Sequence, residues 1–92
     1  MRIERTARFK RAYSKLSEEV KRLFGDKLYQ FSDNWRHPSF RIHKLGGEEE
    51  VYSASLNMSI RFTFSFEKDS KGIIFCVLRN IGDHDHTMRP PY

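Results

Sequence analysis

Cysteine occurs once in the 92 residues, at Cys76. A lone thiol forms no disulfide within the chain, so this is not a disulfide-stapled scaffold, and a reducing cytoplasm is the expected setting. Nor does it supply the Cys-rich ligand sets of structural zinc. The first residues, MRIERTARFKR, lack the apolar segment of a signal peptide. No apolar run approaches the roughly 20 residues of a membrane span. There is no glycine-rich loop of the kind that cradles phosphate, and no Ser-His-Asp or Cys-His spacing of known type. Repeats, linkers and low-complexity segments are missing too. The reading is one domain over residues 1–92, with no membrane association, no small-molecule cofactor and no metal.

What is present is apolar bulk and positive charge. Hydrophobic residues make up 38% and aromatics 14%, including eight Phe, which is too much for a disordered chain and enough for a modest core. The formal net charge is +5 and the pI about 9.6, which favours an acidic partner, either nucleic acid or an acidic protein segment.

Residues 1–6 offer a short strand. Thr6 is a plausible N-cap for a helix over Ala7 to Leu16, whose apolar positions Phe9, Ala12, Tyr13 and Leu16 share one face. Ser17 with Glu18 and Glu19 opens a second helix running to about Asp33, with Val20, Leu23, Phe24, Leu28 and Phe31 along its stripe. The short link predicts a helix hairpin. Pro38 breaks the pattern at NWRHPS, and His37 before it reads as a turn residue. Four strand candidates follow at hairpin spacing: Phe40 to Leu45, Val51 to Leu56, Ser59 to Phe66 and Ile73 to Ile81. In the third, Ile60, Phe62, Phe64 and Phe66 alternate with Arg61, Thr63 and Ser65. The expected fold class is α+β: an N-terminal helix hairpin packed on one side of a twisted, mainly antiparallel sheet of four to five strands, its other face exposed as a concave site. Phe62, Phe64, Val77, Leu23 and Phe24 are the expected shared core.

The segment Ile73 to His86 is apolar on both faces up to Leu78, then turns polar at Arg79 and Asn80 and ends in Gly82-Asp83-His84-Asp85-His86. It reads as a buried strand ending in a glycine turn that presents two imidazoles. Cys76 sits in its most apolar part and reads as a small hydrophobe. His43, Lys44, Arg61, Arg79 and His84 form a sensible inventory for metal-free RNA cleavage. The 2′-OH must lose a proton and the leaving 5′-oxygen must gain one, tasks that suit histidine. The crowded phosphorus sheds negative charge, which suits a guanidinium. Each also has an ordinary reading, as a solvated strand residue or one arm of a cross-strand ion pair.

Four motifs, His37-Pro38-Ser39-Phe40, His43-Lys44-Leu45-Gly46-Gly47, Tyr52 to Phe66 centred on Arg61, and Arg79-Asn80-Ile81-Gly82-Asp83-His84-Asp85, resemble the RelE/ParE superfamily of toxins from type II toxin–antitoxin systems. The resemblance, with the helix hairpin, covers nearly the whole chain. It implies either a RelE-like ribosome-dependent endoribonuclease that cuts mRNA, or a ParE-like inhibitor of DNA gyrase, or a member that only binds its antitoxin. The Gly82-x-His84-Asp85 ending resembles the RelE and YafQ side. On that side Arg61 would stabilise the scissile phosphate and His84 would serve as acid or base. His43 and Lys44 would assist, and Arg79 would stand beside the phosphate. His86, Asp85 and Tyr92 would contact the substrate. The chain departs from many relatives at Thr87 and Met88, where they carry an aromatic that positions the mRNA base. The partners implied are a cognate antitoxin, the ribosome and mRNA.

Overall fold

The chain is described by a computed structural model that covers residues 1–46 and 50–92. Its elements are β1 (Ile3–Arg5), α1 (Ala7–Ser14), α2 (Glu18–Asp33), a 3₁₀ turn at Pro38–Phe40, β2 (His43–Leu45), β3 (Val51–Ser55), β4 (Ile60–Lys68), β5 (Ile74–Asp83) and a single helical turn α3 (His84–Thr87). The five strands form one sheet in the order β1-β5-β4-β3-β2. The four later strands are an antiparallel meander, and β1 joins the free edge of β5 in parallel.

Both helices begin where a hydroxyl satisfies an orphan backbone donor. Thr6 accepts from the Phe9 N–H at 3.1 Å and Ser17 from the Val20 N–H at 3.2 Å. Thr6 also ties α1 to the sheet: its N–H donates to the Leu78 carbonyl and its hydroxyl to that of Arg79. The first predicted meander strand is shorter than expected. Pro38 opens a 3₁₀ turn capped by His37, and Arg41 follows in the left-handed region, so pairing starts only at His43. The expected link at Gly46 to Glu50 has its middle, residues 47–49, outside the described residues.

The helix side of the sheet is an aromatic core. Phe31 stands edge-on to Phe40, Phe62 and Phe64, with ring centroids 5.5, 5.2 and 4.9 Å away. Phe24 joins Phe9, Tyr13 and Phe62, which binds the two helices to each other and to β4. Edge-to-face pairs of this kind add about 0.5–1.5 kcal/mol beyond area burial. Phe9, Phe31, Phe62 and Phe64 are fully buried, and Leu23 packs against them. Val77 does not belong here, contrary to the sequence expectation. It pairs with Ser65, whereas Cys76 and Leu78 pair with Phe66 and Phe64, so Val77 is buried on the opposite face.

The ladder between β4 and β5 shifts register. Thr63 pairs with Asn80 but the next residue, Phe64, pairs with Leu78. Arg79 is therefore an extra residue on β5, a bulge that resets the alternation. Cys76, Leu78 and Ile81 face the helices, while Asn80 and Gly82 pair with Thr63 and Arg61 on the other face. Beyond Lys68 the hairpin is closed by Asp69, which accepts the N–H groups of Lys71 and Ile73, with Gly72 at φ +80°. The Ile73 N–H, joined by that of Lys71 and by Arg2, holds the Asp69 carboxyl below its usual range.

Two stability tests follow from the core. Phe64→Ala should destabilise the protein by about 3–5 kcal/mol, seen as a large drop in the denaturant midpoint; an unchanged midpoint would contradict the assigned face. Burial pushes the Cys76 thiol up to about 12, whereas an unfolded thiol ionises at about pH 8.5. The folded state keeps its proton longer, so stability present below about pH 8.5 should be lost as pH rises towards 12. The loss should be shallower in Cys76→Ala when both proteins are titrated from pH 8 to about 11.

Candidate functional site

The face away from the helices is polar. Straight rows of paired residues cross it. One row is His43, Ser53, Thr63 and Asn80; the next is Ser55, Arg61 and Gly82. The chain does not turn at Gly82, as the sequence suggested; β5 continues through it to Asp83. Glycine is required for a different reason. A Cβ at this position would lie 2.6 Å from Cδ2 of His86. The backbone turns one residue later. Asp83 accepts the His86 N–H at 2.8 Å, Thr87 donates to the Asp83 carbonyl at 2.9 Å, and α3 folds the His86 ring back onto Gly82. Because Gly82 is the cross-strand partner of Arg61, guanidinium and imidazole rise from neighbouring positions.

Asn80, which the sequence reading passed over, holds this histidine at both ends. Its Oδ1 lies 3.1 Å from His86 Nε2 and its Nδ2 donates to the His86 carbonyl at 3.3 Å. The main-chain N–H of Ile81 also donates to Oδ1 at 3.0 Å, which fixes the orientation of the amide. Oδ1 is therefore the acceptor and His86 Nε2 carries a hydrogen, leaving Nδ1 as the accepting nitrogen of the neutral ring. The signal available in sequence was an amide close to the apolar Leu78 and Ile81 in the last strand candidate.

Arg61 is half-buried and donates to Ser55 Oγ at 3.0 Å. His43 is exposed and shares the face of Arg61, one row away. Lys44 is not brought to this face: it pairs with Tyr52, which pairs with Phe64, and its ammonium meets Glu50 at 3.2 Å. Arg79 donates to Ser65 Oγ at 3.3 Å and, through Nε and Nη2, to the Tyr92 main-chain oxygen at 3.1 and 2.8 Å. Tyr92 is thus laid against Arg79, and Arg8 takes the Pro91 carbonyl beside it at 2.6 Å. His84 leads out of the sheet from Asp83, whose partner is Ile60; its side chain is 66% exposed and its Nδ1 lies 3.7 Å from Asp85 Oδ1. Beside His86, a hollow of about 330 Å³ is walled by Arg8 and Arg11 of α1 and by Lys15 just after it. The hydroxyls of Ser53 and Thr63 are buried at the middle of the face with no hydrogen-bond partner among the described residues. Such groups cost about 1–3 kcal/mol each, a cost that core positions rarely tolerate.

No family model matches the sequence, and no curated protein matches it. Solved structures do match. The YafQ toxin of E. coli strain BL21(DE3) superposes with a TM-score of 0.71 at 11% identity, covering 94% of this chain and 97% of its own. The fold is the RelE/ParE toxin fold. The YoeB/ParE toxin from Agrobacterium tumefaciens gives 0.70 at 11% identity, over 91% of this chain and 99% of its own. The archaeal RelE–RelB complex from Pyrococcus horikoshii OT3 supplies a chain that gives 0.66 at 16% identity, over 89% and 92%. The sequence expectation of a RelE-like α+β architecture, with helices on a mainly antiparallel sheet of four to five strands, is met by a five-stranded sheet in which only β1 pairs in parallel. No described helix is long and apolar enough to cross a membrane.

Gly82→Ala tests the packing that defines the site. The added methyl must displace the His86 ring and its contact to Asn80. Stability should fall by about 1 kcal/mol, the low end for overpacking, because the ring can swing out to solvent. The His86 ring proton resonances should move towards those of an unstructured histidine; unchanged resonances would contradict the contact.

Proposed function

We propose that this chain is a toxin of a type II toxin–antitoxin pair that cleaves mRNA on the ribosome by metal-independent attack of a 2′-OH. The observation that carries the reading is the cross-strand pairing of Arg61 with Gly82, on which the His86 ring rests. Arg61, whose guanidinium can hold phosphate oxygens in a fork and in this structure donates to Ser55 on β3, thus occupies the strand position beside an imidazole whose tautomer is fixed by Asn80. His86 Nδ1 takes the 2′-OH proton, and Arg61 bears the charge that grows on the phosphoryl oxygens in the transition state. His84, two residues earlier on the same turn and close to Asp85, returns a proton to the leaving 5′-oxygen. The sequence left His84 open as acid or base and read His86 as a substrate contact; here His84 is the acid and His86 the base. His43 on the same face and Arg79 on its bulge extend the cationic surface for the strand, whereas Lys44 faces the other way and is paired with Glu50. Tyr92 is the aromatic residue that the tail brings back to Arg79. Neighbouring toxins were solved with their antitoxins, RelE with RelB and YafQ with DinJ. A cognate antitoxin is the partner proposed here, its acidic groups matched to a net charge of +5.

The test is primer extension on mRNA from cells in which the chain is induced, with folding of each variant checked by circular dichroism. Wild type should give discrete cuts. Arg61→Ala should lose about 10²–10³ in cleavage rate, and Arg61→Lys should recover only part, since it keeps charge but not the fork. His86→Ala should fall further than His84→Ala. Full toxicity of a folded Arg61→Ala protein, or intact mRNA accompanied by gyrase-dependent DNA damage, would replace this mechanism with a binding one.

A further inference from the structure

Arg61 has a second neighbourhood, on its β3 side. Ser39, Arg41, Ser55, Asn57, Met58 and Arg61 line a cleft of about 220 Å³. Two arginines line it, and none of the described residues lining it is acidic. Neither arginine makes an ion pair with a described residue. Like charges facing one small space repel, and an anion between them relieves the repulsion. The remaining polar groups are suited to an anion. Ser55 Oγ accepts from Arg61, which leaves its own hydrogen to donate. Asn57 Oδ1 is taken by the N–H groups of Ser59 and Ile60, which leaves the amide Nδ2 as its free polar end.

Arg41 itself carries an independent mark. It follows the Pro38–Phe40 turn with φ 46° and ψ 55°, the left-handed region that few residues other than glycine, asparagine and aspartate adopt. Glycine would close the turn more easily. An arginine in an unfavourable backbone state points to its side chain as the reason. At the rim, Met58 is 99% exposed, an adaptable apolar side chain against which a base can lie.

We propose that this cleft seats a phosphodiester of single-stranded RNA, with Arg41 and Arg61 as its two guanidinium clamps and Met58 beneath the adjoining base. The choice of RNA rests on the nuclease reading of the same face. Arg41 is thus a substrate-binding residue outside the motifs that the sequence singled out. It holds the strand on the side of Arg61 opposite His86 and so sets which linkage lies across the imidazole.

The experiment measures binding of a fluorescein-labelled 2′-O-methyl oligouridylate, which cannot undergo 2′-OH attack, by anisotropy over a salt series. Arg41→Gly should weaken binding by about tenfold or more, the effect of losing a charged hydrogen-bonding group. It should lower the slope of log K against log salt by about 0.7, the loss of one phosphate contact on a single strand. Its melting temperature should not fall, because glycine relaxes the left-handed backbone; weaker binding by a protein at least as stable separates a ligand role from a structural one. Arg41→Lys should recover part of the affinity. An Arg41→Gly protein with unchanged affinity and slope would overturn the proposal. So would a wild-type protein that does not bind the oligomer, or one that binds an oligoglutamate of matched charge equally well. If binding depends on Arg41 while the wild type leaves mRNA uncut, the cleft stands and the nuclease reading falls. If wild type and Arg41→Gly cut mRNA and bind alike, the cleft falls alone.

Discussion

The bulge at Arg79 is the constraint on which the two faces of this protein depend. With regular pairing beyond Leu78, Asn80 would point into the aromatic core and Ile81 would point away from it. One extra residue reverses both. Ile81 is returned to the helices, where it is fully buried, and Asn80 is turned to the polar face, where it meets His86. Gly82 is brought opposite Arg61 by the same step. A bulge disrupts one stretch of ladder, and here Thr6 answers it: its hydroxyl takes the Arg79 carbonyl, while its N–H takes that of Leu78. The residue that caps α1 is therefore also the one that holds the bulge.

The division of labour between the faces is a division of rigidity and reach. On the helix side, Phe31 and Phe64 touch aromatic neighbours in several directions, so β4 has little freedom to slide. Precision on that side is transmitted through the strand to Arg61, which lies between Ile60 and Phe62 on β4. On the polar side, contacts are made by groups that can exchange partners: hydroxyls, guanidiniums and imidazoles. Arg79 illustrates the difference, since its partners include a serine hydroxyl and a main-chain oxygen. A surface built this way on a stiff support suits a flexible polyanionic substrate.

Much of this was legible because periodicity and capping are local. The alternation from Ile60 to Phe66 gave the correct faces of β4, and Thr6 and Ser17 marked both helix starts. Val77 was misread because Ile73 to Leu78 is apolar on both faces, so alternation leaves open which face meets the helices. Gly82 was misread as a turn because its need for a missing Cβ comes from a ring folded back from α3. The bulge at arginine, with no glycine in a left-handed state to announce it, leaves only a faint trace. That trace is the spacing of Cys76, Leu78 and Ile81, which steps by two and then by three. Lys44 and His43 are adjacent in sequence and looked equivalent; the pleat sends them to opposite faces. Asn80 and Arg41 were missed because their roles come from contacts: a ring folded back from α3, and a cleft shared with another strand.

The parallel pairing of β1 with β5 has a consequence for how the protein comes to be made. Ile3, Glu4 and Arg5 find their partners at Cys76, Val77 and Leu78, some of the most distant contacts the chain can form. The two helices follow β1 immediately, yet their apolar stripes are covered by strands synthesised afterwards. An amphipathic helix pair without its sheet is only marginally stable in water. As the chain leaves the ribosome, its first third must therefore wait with its hydrophobic face unburied until β5 arrives. Closing so long a loop carries an entropic cost before any contact rewards it, which places the slow step of folding after β5 has been made. Neither Arg61 nor His86 is held in place before that step, so the site is assembled last.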